Sequence, residues 1–92
     1  MKTAFVTGGS RGIGKAIAIE LGNNFHVVVG YSNSEDKAND IAKDIISSGG
    51  SASTVRVDIS NSEAVDEAFT SIEKDYTSVD VLINNAGVTK DN

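Results

Sequence analysis

Thr7-Gly8-Gly9-Ser10-Arg11-Gly12-Ile13-Gly14 is the stretch whose reading decides the fold. The apolar run Ala4-Phe5-Val6 precedes it and reads as a buried strand. A helical pattern follows, with Ile13, Ile17 and Leu21 four apart on one face and Ala16 beside them. Strand, glycine-rich turn and helix form a layout that binds a phosphate. The free N–H groups of the helix's first turn and the helix dipole both favour an anion there. Glycine suits the turn because a Cβ would hold the backbone off the ligand and forbid positive φ.

Three chemistries compete for this turn. Gly9-x4-Gly14-Lys15 approaches the P-loop of NTPases, but Ala16 follows and has no hydroxyl for magnesium. Gly8-x-Ser10-x-Gly12 fits the nucleophile elbow of hydrolases, which needs a later acid and then a His. The only histidine, His26, falls five residues before the end of the next strand. Ser10 belongs to the opposite end of the sheet, roughly 16 Å away, so no triad can be built. The third is a dinucleotide loop. Its spacing here, Gly8-x3-Gly12-x-Gly14, differs from the usual G-x-G-x-x-G.

That spacing resembles the short-chain dehydrogenase/reductase family, whose turn reads T-G-x-x-x-G-x-G. Asp58-Ile59 closes the third strand, where that family places an Asp and an apolar residue at the adenine. Asn84-Asn85-Ala86-Gly87 closes the fourth run and matches the family's N-N-A-G. The resemblance spans all 92 residues. Within the family, the wording around the motifs is most similar to bacterial 3-oxoacyl-acyl-carrier-protein reductases of fatty-acid synthesis.

Ninety-two residues allow one domain at most. Such a chain buries only roughly 60–65% of its unfolded surface, so its stability margin is thin. A net charge of −5 argues against nucleic acid and anionic membranes as partners. A phosphate must then be held by local donors. The absence of cysteine removes disulfide and thiolate chemistry. No secretory signal is legible after Lys2, no stretch approaches the roughly 18 apolar residues of a membrane span, and a cytoplasmic protein is expected.

The first helix is expected to stop near Gly22-Asn23. Val27-Val28-Val29 reads as a strand buried on both faces, ending at Gly30-Tyr31-Ser32-Asn33. Ser32 and Glu35 have capping-box spacing. Ala38, Ile41, Ala42 and Ile45 form the stripe of a second helix, which Ser47-Ser48-Gly49-Gly50 stops. Thr54 to Asp58 alternates and reads as an edge strand, with Arg56 between two valines. Ser60 and Glu63 repeat the capping box, and Val65, Ala68, Phe69, Ile72 and Tyr76 give a third helix one face. Val81-Leu82-Ile83 is a fully apolar fourth strand.

The fold class is therefore α/β: a partial Rossmann fold with a parallel sheet of four strands in order 3-2-1-4. Right-handed crossovers put the first two helices on one face and the third on the other, with the ligand crevice between strands 1 and 4.

The candidate cofactor-binding residues are Gly8, Gly9, Ser10, Arg11, Gly12, Ile13 and Gly14 in the turn, Tyr31, Ser32 and Asn33 after the second strand, Asp58 and Ile59, and Asn85, Ala86 and Gly87. Gly8, Gly12 and Gly14 serve turn and close approach. Arg11 either pairs with a ribose 2′-phosphate or is a solvated loop residue. An NAD enzyme wants an acid where Tyr31 stands, and Tyr31, Ser32 and Asn33 offer hydroxyl and amide donors instead, so NADP(H) is favoured. Glu35 reads as a helix cap. Asp58 can accept from an adenine amino group or simply end a strand. The resemblance implies that Asn85, Ala86 and Gly87 flank the cofactor ribose and that Asn84 ties strands together. His26 reads as a surface residue, and no Cys/His spacing suggests a metal. The helix carboxylates Asp36, Asp40, Asp44, Asp66, Glu67 and Glu73 read as solvated.

The resemblance also implies a catalytic Ser, a Tyr-x-x-x-Lys pair and a helical Asn. Tyr31 is followed four positions on by Glu35 and Tyr76 by Asp80, so no Tyr-x-x-x-Lys occurs. The chain is expected to be the cofactor half of an NADPH-dependent reductase, inactive by itself. A stand-alone nucleotide-binding or self-associating domain is the alternative. The fourth strand as an edge, with one helix covering the sheet face behind it, leads us to expect a homo-oligomer through that strand or that face.

Overall fold

The computed structural model describes residues 2–7, 12–58, 60–75 and 79–84, with the backbone alone at 12–14, 82 and 84. The elements run β1 (Lys2–Thr7), α1 (Gly12–Leu21), β2 (Phe25–Tyr31), α2 (Glu35–Ser47), β3 (Ser51–Arg56), α3 (Ser62–Asp75) and β4 (Val79–Asn84). The four strands form one parallel sheet in the expected order β3-β2-β1-β4.

The two faces divide as the crossover rule requires. Ala18 of α1 and Ala38, Ile41 and Ile45 of α2 close over Val6, Val27 and Val29. Ala68 and Ile72 of α3 close over Phe5, Val28 and Val57 on the opposite face. The rings of Phe5 and Phe69 meet edge-on, with centroids 5.4 Å apart at 82°. The valines of β2 are buried on both sides, which accounts for their unbroken apolar run.

Glycines end two of the helices. The N–H of Gly22 reaches back to the carbonyls of Ala18 and Ile19. After α2, Gly49 adopts φ +94°, its N–H donates to the Ile46 carbonyl, and that of Gly50 donates to Ile45. This is the paired bonding of a Schellman end, and it needs a residue that tolerates positive φ.

Several boundaries depart from the sequence reading. In α1 the buried residue is Ala18, while Ala16 is exposed and Ile17 and Leu21 are half-buried. A one-carbon side chain at position 18 permits the close approach of α1 to β1 and β2. The third strand begins at Ser51 rather than Thr54 and ends at Arg56, so Asp58 lies beyond it. Ser51-Ala52-Ser53 has little apolar signal of its own, and its strand form comes from pairing with β2. The Val57 N–H continues that pairing by one residue, donating to the Tyr31 carbonyl at 2.7 Å.

Both proposed capping boxes are displaced. The residue before α2 is Ser34, not Ser32, and its side chain makes no capping bond. Asn61 caps α3 in place of Ser60: its Oδ1 accepts from the N–H groups of Glu63 and Ala64 at 2.9 and 3.2 Å. The α3 helix stops at Asp75, and Tyr76 lies outside the described residues.

His26 is buried, not a surface residue. Its Nδ1 bonds Ser51 Oγ and its Nε2 bonds Ser53 Oγ at 3.1 Å. The α3 face carries polar Thr3, His26, Ser51 and Ser53 toward the strand N-termini. Among the described residues, the large apolar side chains exposed by a third or more are Ile19 and Ile46, both on helices. The β1–β4 pairing slips between Thr3 and Ala4, and there the Asp80 carboxylate takes the Thr3 N–H at 3.0 Å.

Candidate cofactor-binding site

Parallel strands bring all their C-terminal ends to one edge of the sheet. From β1 the chain reaches β2 on one side, and from β3 it crosses back to β4 on the other. The crevice between diverging connections is where open α/β sheets bind ligands. Thr7 stands at its lip, and its hydroxyl donates to the Ile83 carbonyl of β4 at 3.3 Å.

The α1 helix starts at Gly12, so the backbone N–H groups of Gly12, Ile13 and Gly14 lie at this edge. The first turn of α1 carries no acidic residue to compete with an incoming anion. Gly8, Gly9, Ser10 and Arg11 lie outside the described residues, as do Ile59, Asn85, Ala86 and Gly87.

Tyr31 is the last residue of β2 and is partly buried. Desolvation, and the Glu35 carboxylate that accepts its hydroxyl's hydrogen bond, push its pKa above the usual 10.0, with Arg56 pulling the other way. This corrects one expectation. Glu35 is the first residue of α2 and bonds Tyr31 across one turn, rather than completing a box with Ser32. Ser32 and Asn33 are exposed just beyond the strand.

Asp58 sits two residues past β3 and is exposed. Its Oδ1 accepts from the Ser60 hydroxyl at 2.6 Å and the Ser60 N–H at 3.0 Å. These bonds, side chain first, hold its carboxyl below the ordinary 3.8, and the Arg56 charge assists. Asp58 is thus ionised at neutral pH. Both bonds fall on Oδ1, and among the described residues none falls on Oδ2, which can accept from an amino group. The turn-residue reading of Asp58 holds. From Thr7 to the end of β3 is two strand spacings, roughly 10 Å, enough for a nucleoside to lie across the strand ends.

Arg56 was visible in the sequence only as a polar residue between valines. The register places it directly beside Tyr31. It is exposed, and among the described residues it forms no ion pair. Its charge is nonetheless felt at both Tyr31 and Asp58. Among the described residues no cluster of His, Cys, Asp or Glu is placed to hold a metal, and no helix is long and apolar enough to cross a membrane.

A doubly wound parallel sheet with a helix start at its switch point defines a Rossmann-like α/β protein. The sequence profile of the short chain dehydrogenase family matches residues 2–92. The chain is 40% identical over 92 residues to the 3-oxoacyl-[acyl-carrier-protein] reductase FabG of Staphylococcus epidermidis, covering 99% of this chain and 38% of that protein. A dehydrogenase/reductase from Sinorhizobium meliloti superposes with a TM-score of 0.87 at 39% identity, over 91% of this chain and 34% of that one. A metagenomic short-chain oxidoreductase, solved in complex with NADP, gives 0.83 at 35% identity, over 88% and 37%. The chain belongs to the short-chain dehydrogenase family. It spans a little over a third of the length of the relatives it matches.

Proposed function

We propose that these residues bind NADP(H) for a reductase that transfers hydride to the carbonyl of 3-oxoacyl groups carried on acyl carrier protein. The observation that carries the reading is one sheet edge. There the first turn of α1 lies at the β1/β4 switch point and the ionised Asp58 stands past β3, two strand spacings along the same edge, in a chain 40% identical to a reductase of that specificity. The bound cofactor supplies the hydride. Gly8, Gly9, Gly12 and Gly14 let the backbone approach the pyrophosphate, with Ser10 and the α1 N–H groups as donors. Asp58 accepts from the adenine amino group, with Ile59 beside the ring. Asn85, Ala86 and Gly87 flank the ribose nearer the nicotinamide. NADP is preferred over NAD because no acid stands at Tyr31 and the guanidinium of Arg11, in the glycine-rich sequence, can pair with a 2′-phosphate. The 92 residues contain no Tyr-x-x-x-Lys, so these residues hold the cofactor and not the proton donor.

The test is cofactor titration and turnover of acetoacetyl thioester by the natural polypeptide. NADPH should bind about tenfold or more tighter than NADH, the worth of one charged hydrogen bond, and Arg11→Ala should remove most of the difference. Equal affinities would sink the NADP assignment. Absence of turnover on any 3-oxoacyl thioester would sink the reductase.

A further inference from the structure

We infer that Arg56 is a cation for the cofactor's 2′-phosphate and contributes to the preference for the phosphorylated cofactor. The inference rests on the NADP reading above and adds a residue from β3, an element that reading uses only through Asp58.

Position comes first. Arg56 is the register partner of Tyr31, so their backbones are one strand spacing apart, about 4.8 Å. Paired residues of neighbouring strands project to the same face. Tyr31 packs against the cluster under α1 and α2, so Arg56 emerges on that side, beside the β2 terminus where the ribose hydroxyls fall.

Charge comes second. Two carboxylates, Glu35 and Asp58, flank this corner, and a phosphate dianion placed there without a cation would be repelled. Glu35 is hydrogen-bonded to Tyr31, and Arg56 forms no ion pair among the described residues. Arg56 stands between the ribose corner at Tyr31 and the adenine corner at Asp58, and its field reaches both. Its planar fork can hold two phosphate oxygens through parallel N–H bonds in a fixed geometry, whereas an ammonium group binds them as a point charge. Lys37 lies on the first turn of α2 and has no register partner in the sheet.

The experiment measures NADPH and NADH dissociation constants by fluorescence titration in the natural polypeptide and in Arg56→Ala, Arg56→Lys, Arg56→Gln and Lys37→Ala variants. Arg56→Ala should weaken NADPH about tenfold and leave NADH within about twofold. Arg56→Lys should recover part of the loss, and Lys37→Ala should leave the ratio unchanged. Arg56→Gln keeps most of the side-chain stem and answers the same question should the alanine variant misfold. Three results overturn the inference: an undiminished NADPH preference without the guanidinium, equal weakening of both cofactors, or a loss in Lys37→Ala as large as in Arg56→Ala. Equal affinities in the unsubstituted protein would instead refute the NADP reading itself, and this inference with it.

Discussion

Gly30 offers a quantitative test of how the core and the site are joined. It lies in β2, one residue before Tyr31, on the face covered by α3. A Cβ at this position would come to 3.0 Å from Phe5 Cε1, 3.3 Å from Val57 Cγ1 and 3.5 Å from Thr7 Cα. Phe5 is fully buried and held edge-on by Phe69, and Val57 is 4% exposed, so neither yields easily. Overpacking of this kind costs about 1–3 kcal/mol. Replacing a strand glycine by alanine returns roughly 0.5–1 kcal/mol of chain entropy. From the middle of these ranges Gly30→Ala should destabilise by about 1 kcal/mol, read as a fall in the urea midpoint at unchanged slope. Phe5→Leu removes the atom at 3.0 Å. In that background the Gly30→Ala cost should shrink, giving a coupling of about 1 kcal/mol in a double-mutant cycle. A neutral or stabilising Gly30→Ala, or an identical cost in both backgrounds, would refute the claim that Phe5 requires glycine here.

Asn61→Ala removes the acceptor of two α3 N–H groups and should cost about 1 kcal/mol in urea unfolding, whereas Ser60→Ala should leave the α3 cap intact; the reverse order would restore Ser60 as the cap. Burial holds the His26 pKa below its ordinary 6.5, so the unfolded chain binds the extra proton as pH falls through that value. Urea midpoints should be flat in this respect above about pH 6.5 and decline below it, and His26→Asn should reduce the decline; equal slopes would remove His26 as its source.

Much of the architecture follows from local pattern. Alternating apolar runs and amphipathic stripes placed all seven elements in order, and handedness then fixed the strand order and the helix faces. The stripe Ala38, Ile41, Ala42, Ile45 is legible because a helix has one period and one buried face, and all four residues are buried. The glycine turn that ends α2 is legible because few other residues tolerate its positive φ. What the sequence left undecided depends on partners distant along the chain. Ser51-Ala52-Ser53 becomes a strand only because β2 presents a backbone to pair with and His26 presents a ring to its hydroxyls. Ser32, Ser34, Ser60 and Asn61 all satisfy the local rule for a cap, and the exact entry of each helix chooses among them. Arg56 comes to stand beside Tyr31 because β3 pairs with β2 in one register. Hydrophobic periodicity is a property of neighbours in sequence and survives without tertiary structure. Which polar group meets which is set by the register of strands some twenty-five residues apart, and a shift of one residue would turn each such side chain to the other face.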